Sequence, residues 1–314
     1  MNASTRVLVG IDLDASGKLT PGSDRALRTA AWFAERTGAQ LALLYSRYHN
    51  PEDAPREPLG PDDVEARVKS TLEGLPDRPA ALSEETTLWI SDAPPWLAIL
   101  ERARSDAADL VVVAKRNHTR KDDRRLGSTS MRLVHHCPVP VWVVRPDHPS
   151  KHETVLAATD LSVVGDAAVH HAGAIARADG CELYVVHAWQ VPLELQMSAA
   201  RMGAERAAEE KRALSETAKA HIRALPAFAE MGDAAHVLLA NDAPSRAILA
   251  ATERLDPDLV VLGSISRSGL AGMVIGNTAE RLLYALDTSL LTIKPEDFAC
   301  DIELDIPPPR KTSL

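Results

Sequence analysis

Short continuous runs of Val, Leu, Ile and Ala alternate with longer segments in which apolar residues recur every three or four positions. The runs Val7–Ile11, Leu41–Ser46, Thr86–Ile90, Leu110–Ala114 and Val139–Val144 predict strands buried on both faces. The segments Asp24–Thr37, Val64–Leu75, Trp96–Ala107 and Ser128–His136 predict helices. In the first of these, Leu27, Ala30, Ala31 and Ala34 share one face, and Gly38 suits the C-terminal cap. Pro94 and Pro95 mark the start of the third.

The alternation then begins again. Strands are predicted at Val155–Ala158, Leu183–His187, His236–Leu239, Leu259–Leu262 and Leu290–Ile293, with helices at Ala167–Ala178, Ala199–Ala224, Ser245–Arg254 and Thr278–Leu286. The second pass matches the first residue by residue. Val7–Asp12 is answered by Val155–Asp160 at an offset of 148, and Asp92-Ala93-Pro94 by Asp242-Ala243-Pro244 at 150. Asp109–Val113 is answered by Asp258–Leu262, and Val143–Pro146 by Thr292–Pro295, both at 149. A repeat this long is a duplicated domain rather than a solenoid unit. The pattern specifies an α/β protein of two tandem Rossmann-like domains. Each is a five-stranded parallel sheet with helices on both faces and right-handed crossovers. The expected boundaries are 1–148 and 152–297. An acidic, proline-rich tail, 298–314, is expected to lie over the surface or to be disordered.

Composition narrows the class. The 314 residues are 45% apolar, 25% charged and only 4% aromatic, so aliphatic side chains must build the cores of an ordinary globular protein. Three cysteines, with no CxxC pair, make no disulfide framework and point to the cytoplasm. No apolar run approaches the roughly 18 residues of a membrane span. The net charge of −9 is uneven: residues 1–150 carry −1 and residues 151–314 carry −8. An acidic balance argues against a nucleic-acid partner. The local exception is Lys115–Arg125, with six basic and two acidic residues; lacking interleaved aromatics, it reads as a solvated loop.

Doubly wound sheets bind ligands beyond the carboxyl ends of their strands. Asp12 and Asp160 close the first strand of each copy. Each can accept a hydrogen bond from a base or ribose, or simply cap the following turn. After the fourth strand of the second copy, Gly263–Gly272 leads through Gly276-Asn277-Thr278 into a helix. Glycines and hydroxyls before a helix N-terminus present backbone N–H groups to a phosphate, and Arg267 can add a charged contact. The bland alternative is a turn capped by Asn277 or Thr278. His135-His136-Cys137 invites a metal reading, but neighbours on a helix point about 100° apart, so a basic helix terminus is the simpler account. No metal site is assigned. No nucleophile elbow, complete phosphate loop or HExxH motif occurs, so no catalytic residue is assigned.

These residues resemble the universal stress proteins, and among them the tandem members. The resemblance spans nearly the whole chain. It is carried by Gly276–Glu280, Ile293–Asp297 and Cys137–Val144, together with the glycine spacing after the fourth strand. Nucleotide-binding members of that family have Gly, two residues, Gly, nine residues, Gly and then Ser or Thr. In the second copy Gly263 and Gly276 match, whereas Ser266 and Asn277 stand where Gly and Ser/Thr are expected. In the first copy Gly127 and Ser128 match, whereas Ala114 and Asn117 replace glycines. An added Cβ limits the close backbone approach that a phosphate cradle needs.

The resemblance implies a cytoplasmic, non-catalytic stress-response protein, with a ligand-binding or protein-interaction role, that supports survival under stress, DNA-damaging agents included. It requires no cofactor and admits ATP in the second copy only, through Asp160, Gly263, Ser266, Arg267, Gly276, Asn277 and Thr278. The weaker counterpart in the first copy is Asp12, Gly127 and Ser128. The expected partner is a small molecule, with a homodimer as a further association. An apolar or mixed ligand is the other reading of the second pocket. Leu195, Met197 and Met202 would line it if they do not simply fill the core. ATP binding, with or without slow hydrolysis, is the competing function.

Overall fold

The computed structural model describes residues 5–48, 60–83, 85–115, 127–147, 152–189, 204–264, 277–300 and 302–313. It divides into two compact units, Met1–Ser150 with Asp297–Leu314, and Lys151–Glu296. The first unit holds β1 (Arg6–Ile11), α1 (Pro21–Thr37), β2 (Gln40–Ser46), α2 (Pro61–Glu73), β3 (Thr87–Ser91), α3 (Pro95–Ser105), β4 (Leu110–Ala114), α4 (Ser128–His136) and β5 (Val141–Val144). The second holds β6 (Thr154–Thr159), α5 (Val163–Asp179), β7 (Glu182–Ala188), α6 (Ala204–Ala224), a short α7 (Pro226–Ala229), β8 (Ala235–Ala240), α8 (Pro244–Leu255), β9 (Leu259–Gly263), α9 (Asn277–Ala285) and β10 (Ser289–Ile293). The tail contributes β11 (Arg310–Ser313), which belongs to the first unit.

Within the first unit the strand order is β11-β3-β2-β1-β4-β5, and within the second it is β10-β9-β6-β7-β8. The pairs β1–β2, β1–β4, β2–β3 and β4–β5 are parallel, as are β6–β7, β6–β9, β7–β8 and β9–β10. Order reverses between β1 and β4, and between β6 and β9, which makes those two clefts the switch points of the sheets. Five parallel strands are present in each copy as expected, but the first unit carries a sixth. β11 runs antiparallel to β3. The tail is therefore part of the first unit's sheet rather than a segment merely lying on its surface.

The cores are aliphatic. Val7, Val9, Leu43, Val111, Val112 and Val141 are fully buried in the first unit, and Val155, Leu156, Ala157, Leu183, Val185 and Val260 in the second. Among the described residues, Trp142 is the largest fully buried side chain of the first unit. It meets Trp32 and Phe33 edge-on, with centroids 6.3 and 6.4 Å away. One repeated motif has the same job in both copies. The backbone N–H of Arg6 donates to the Asp109 carboxylate at 2.8 Å, and those of Glu153 and Thr154 donate to Asp258 at 2.7 and 3.1 Å. The acid that opens the fourth strand thus fixes where the first strand begins.

Helix starts differ from the hydrophobic pattern. α1 begins at Pro21, not Asp24, because Thr20 accepts the Ser23 N–H at 3.2 Å and Pro21 needs no donor partner at the first turn. α5 likewise begins at Val163, with Ser162 accepting the Gly165 N–H at 3.2 Å. α2 begins at Pro61 rather than Val64, and β5 is shortened to Val141–Val144.

α5 also carries a pH dependence. Burial, with the neighbouring His170 adding to it, lowers the pKa of His171 from its ordinary value of 6.5 to about 4. Unfolding restores the ordinary value, so the unfolded chain binds more protons below pH 6.5. The contribution of His171 is complete above pH 6.5 and is lost as pH falls towards about 4. Thermal melts should therefore drop through that window, and His171→Leu should flatten this part of the profile. An unchanged profile in that variant contradicts the assignment.

Candidate functional site

The carboxyl ends of the first and fourth strands differ sharply between the copies. In the second unit only Asp160, Leu161 and Ser162 separate β6 from α5. The turn is held by its own side chains. Leu161 N–H donates to Thr159 Oγ1 at 2.9 Å, and Ser162 N–H donates to Asp160 Oδ1 at 3.0 Å. The Ser162 hydroxyl donates to the same carboxylate. Leu161 sits at φ +62°, a conformation that costs a non-glycine residue on the order of 1 kcal/mol. Gly165 makes the tightness feasible: a Cβ there would lie 2.6 Å from Thr159 Oγ1 and 2.8 Å from Asp160 Oδ1.

Beside the turn, His187 is buried at the end of β7, and its Nδ1 lies 2.9 Å from the Thr159 carbonyl oxygen. A carbonyl only accepts, so Nδ1 is the donor in this contact. Ser264 follows β9 and is fully buried, its N–H bonded to the Ile293 carbonyl at 2.9 Å. Asp166, in the first turn of α5, accepts from His221 of α6 at 2.9 Å.

The first unit has a longer connection at the same place. Nine residues, Asp12–Thr20, separate β1 from α1. They fold on themselves through an antiparallel bridge between Leu13 and Leu19, both buried. Asp12 N–H donates to Ser23 Oγ at 2.7 Å, and the Asp12 carboxylate accepts from its neighbour Leu13 at 2.8 Å. Asp14 organises the tip, accepting from Ser16 and Lys18; the Ser16 hydroxyl is the main cause of its lowered pKa. The Gly17 carbonyl at the tip accepts from Thr71 of α2 at 2.8 Å.

One contact is exchanged between the copies. In the first, Ala114 at the end of β4 faces Gly22 in the first turn of α1, where an added Cβ would lie 2.8 Å from the Ala114 Cβ. In the second, Gly263 at the end of β9 faces Val164 in the first turn of α5, where an added Cβ would lie 2.9 Å from Val164 Cγ1. Each copy has room for one side chain, and they place it on opposite sides. Gly263 thus has a packing role in addition to any phosphate role. The sequence reading missed the Gly22–Val164 correspondence. The first copy's longer loop shifts the offset from 148 at Asp12 and Asp160 to 142 at Gly38 and Gly180.

Of the predicted site residues, Asp160 and Gly263 stand at neighbouring strand ends of one sheet. Asn277 and Thr278 open α9, with side chains outside the described residues. Ser266, Arg267 and Gly276 lie outside the described residues, as do Leu195, Met197 and Met202. In the first copy, Gly127 and Ser128 begin α4, and Gly127 at φ −62° needs no glycine for its conformation. Most of the basic loop is outside the described residues. Lys115 corrects the expectation for its start: it is buried, because its N–H continues the strand pairing to the Val144 carbonyl at 2.7 Å.

Residues 4–145 and 151–294 each match the model of the universal stress protein family. The chain belongs to that family, as a tandem member with two such domains. It is 24% identical over 304 residues to universal stress protein E of Escherichia coli K12, covering 89% of this chain and 92% of that protein. It is 23% identical over 302 residues to the Salmonella typhi protein of the same name. A solved structure described as a universal stress protein, from Pseudomonas aeruginosa UCBPP-PA14, superposes with a TM-score of 0.65 at 23% identity. It covers 94% of this chain and 95% of that one, a likeness of fold. Among the described residues no helix is long and apolar enough to cross a membrane.

The exchanged contact is testable. Gly263→Ala should lower stability by about 1–3 kcal/mol, the usual cost of overpacking. Val164→Ala in the same chain should recover most of it, because it removes the methyl group that the new Cβ meets. Additive losses in denaturant melts would contradict the contact.

Proposed function

We propose that this chain is a non-enzymatic stress-response protein of the cytoplasm that holds one small ligand, in its second copy only. Family membership supports the stress-response role. The observation that carries the rest is the difference in loop length at the switch points. Three residues join β6 to α5, whereas nine join β1 to α1 and bury two leucines. A ligand at the strand ends meets polar groups in the second copy and a folded loop in the first.

The side chains at Asp160, Ser162 and Thr159 bond their own turn, which suits orientation and recognition rather than nucleophilic or acid–base chemistry. Free cysteines, two of them buried, are consistent with a reducing compartment. Survival under stress, including exposure to DNA-damaging agents, is the role we assign to the protein in the cell.

Adenine nucleotide is the second reading of the ligand. It is favoured by Gly263 at the end of β9 and by Gly276-Asn277-Thr278 at the start of α9, where helix N–H groups suit a phosphate. In that case the Asp160 side would take the base and the α9 side the phosphates.

Native mass spectrometry of the protein purified from cells, followed by calorimetry with ATP and magnesium, tests both readings. One ligand per chain is expected, lost in Asp160→Lys with an unchanged circular dichroism spectrum. Two ligands per chain, or retention in that variant, refutes the site. A bound mass without heat from ATP retains the site and rejects the nucleotide. No bound mass and no heat reject both.

A further inference from the structure

The end of the chain forms an ordered contact that the duplicated fold does not itself require. Along residues 302–306 burial alternates, with Ile302, Leu304 and Ile306 half-buried and Glu303 and Asp305 exposed. Arg104 of α3 donates to the Ile302 carbonyl at 3.2 Å. After Pro307-Pro308-Pro309, the chain adds β11 to the edge of β3, pairing Arg310 with Ile90, Lys311 with Trp89, Thr312 with Leu88 and Ser313 with Thr87.

The side chains are matched on both faces. Arg310 reaches Asp62 at 2.5 Å and Glu65 at 3.7 Å on α2, and the Thr312 hydroxyl donates to Glu65 at 2.6 Å. Lys311 lies 5.7 Å from the centre of the Trp89 ring, which Arg102 also approaches at 4.4 Å. Hydroxyl donation from Thr312, and then Lys69, holds the Glu65 carboxyl below the usual range.

Two features mark this strand as exchangeable. Its ion pair with Asp62 is exposed, with half of the Arg310 side chain and 83% of the Asp62 side chain open to water, so that pair contributes little beyond specificity. The equivalent edge of the second unit has no such cover: among the described residues no strand pairs with the outer side of β8, whose six residues are all half-exposed. β3 keeps, with α2, a surface that recognises one.

We infer that the β3 edge, with Asp62 and Glu65 of α2 and Trp89, is a strand-addition docking site for an extended basic segment of a partner protein, and that Arg310–Ser313 is its tethered occupant. The segment it fits places Arg or Lys against Asp62 and Glu65, a second cation over Trp89, and a hydroxyl residue next in line. Main-chain pairing supplies affinity and these alternating contacts supply register. The tail competes through its high effective concentration, so a partner engages when its segment outcompetes the tail or when the tail is displaced.

The test uses the full chain carrying Arg310→Glu, which sets like charges against Asp62 and Glu65. The probe is a fluorescein-labelled peptide of the chain's own residues 307–314. Fluorescence anisotropy at low salt should show binding to this variant at least about tenfold tighter than to the unaltered chain, the ratio expected when a tethered competitor is released. A chain ending at Ile306 should behave the same way. Adding Glu65→Lys to either variant should weaken binding about tenfold or more. Hydrogen exchange should slow at residues 87–91 when the peptide binds. Equal binding by all forms, binding by none, protection at 235–240 instead, or self-association of the shortened chain without peptide binding would each overturn the inference. If the shortened chain does not fold, the Arg310→Glu comparison decides alone.

Discussion

The organisation of each copy depends on how closely its first helix approaches the end of its fourth strand. The first helix must return across the sheet to the switch point, and there the helix start and the strand end come within one side chain of each other. Only one of the two can carry a Cβ. The first copy gives it to the strand, as Ala114 against Gly22; the second gives it to the helix, as Val164 against Gly263. Close packing makes this choice discrete rather than graded.

The loops then follow different courses. With a three-residue turn, the second copy compresses β6 into α5, places Leu161 in a left-handed conformation, and needs Gly165 to admit the Asp160 carboxylate. The first copy uses a loop that brings its own leucines and ties itself to α2 through Gly17 and Thr71. Asp12 and Asp160 hold corresponding positions at the end of the first strand. One caps its own loop, and the other braces the short turn into α5.

Much of this was legible in the sequence. Continuous aliphatic runs set the strands, because a parallel sheet covered on both faces needs apolar residues at every position. The repeated Asp109 and Asp258 marked real structural points. What the pattern could not show was local. Helix starts at Pro21 and Val163 carry no hydrophobic periodicity, so capping by Thr20 and Ser162 sets them instead. The exchange between Gly22 and Val164 was concealed by the loop that shifts the alignment. The tail reads as polar and proline-rich, yet Ile302, Leu304 and Ile306 alternate with acids, and its basic end meets the acidic start of α2. Such a strand is specified by its partners rather than by its own propensity. The charge asymmetry changes meaning as well, since the tail counted with the acidic second half packs on the first unit.

The central claim is that the two copies share a fold but only the second keeps an open ligand seat. Amide hydrogen exchange of the full chain, with and without ATP and magnesium, measures this most directly. The account predicts slowed exchange at residues 159–165 and around 259–264, with residues 11–23 and 110–115 unchanged. Slowed exchange at 11–23, alone or together with the second copy, would contradict it.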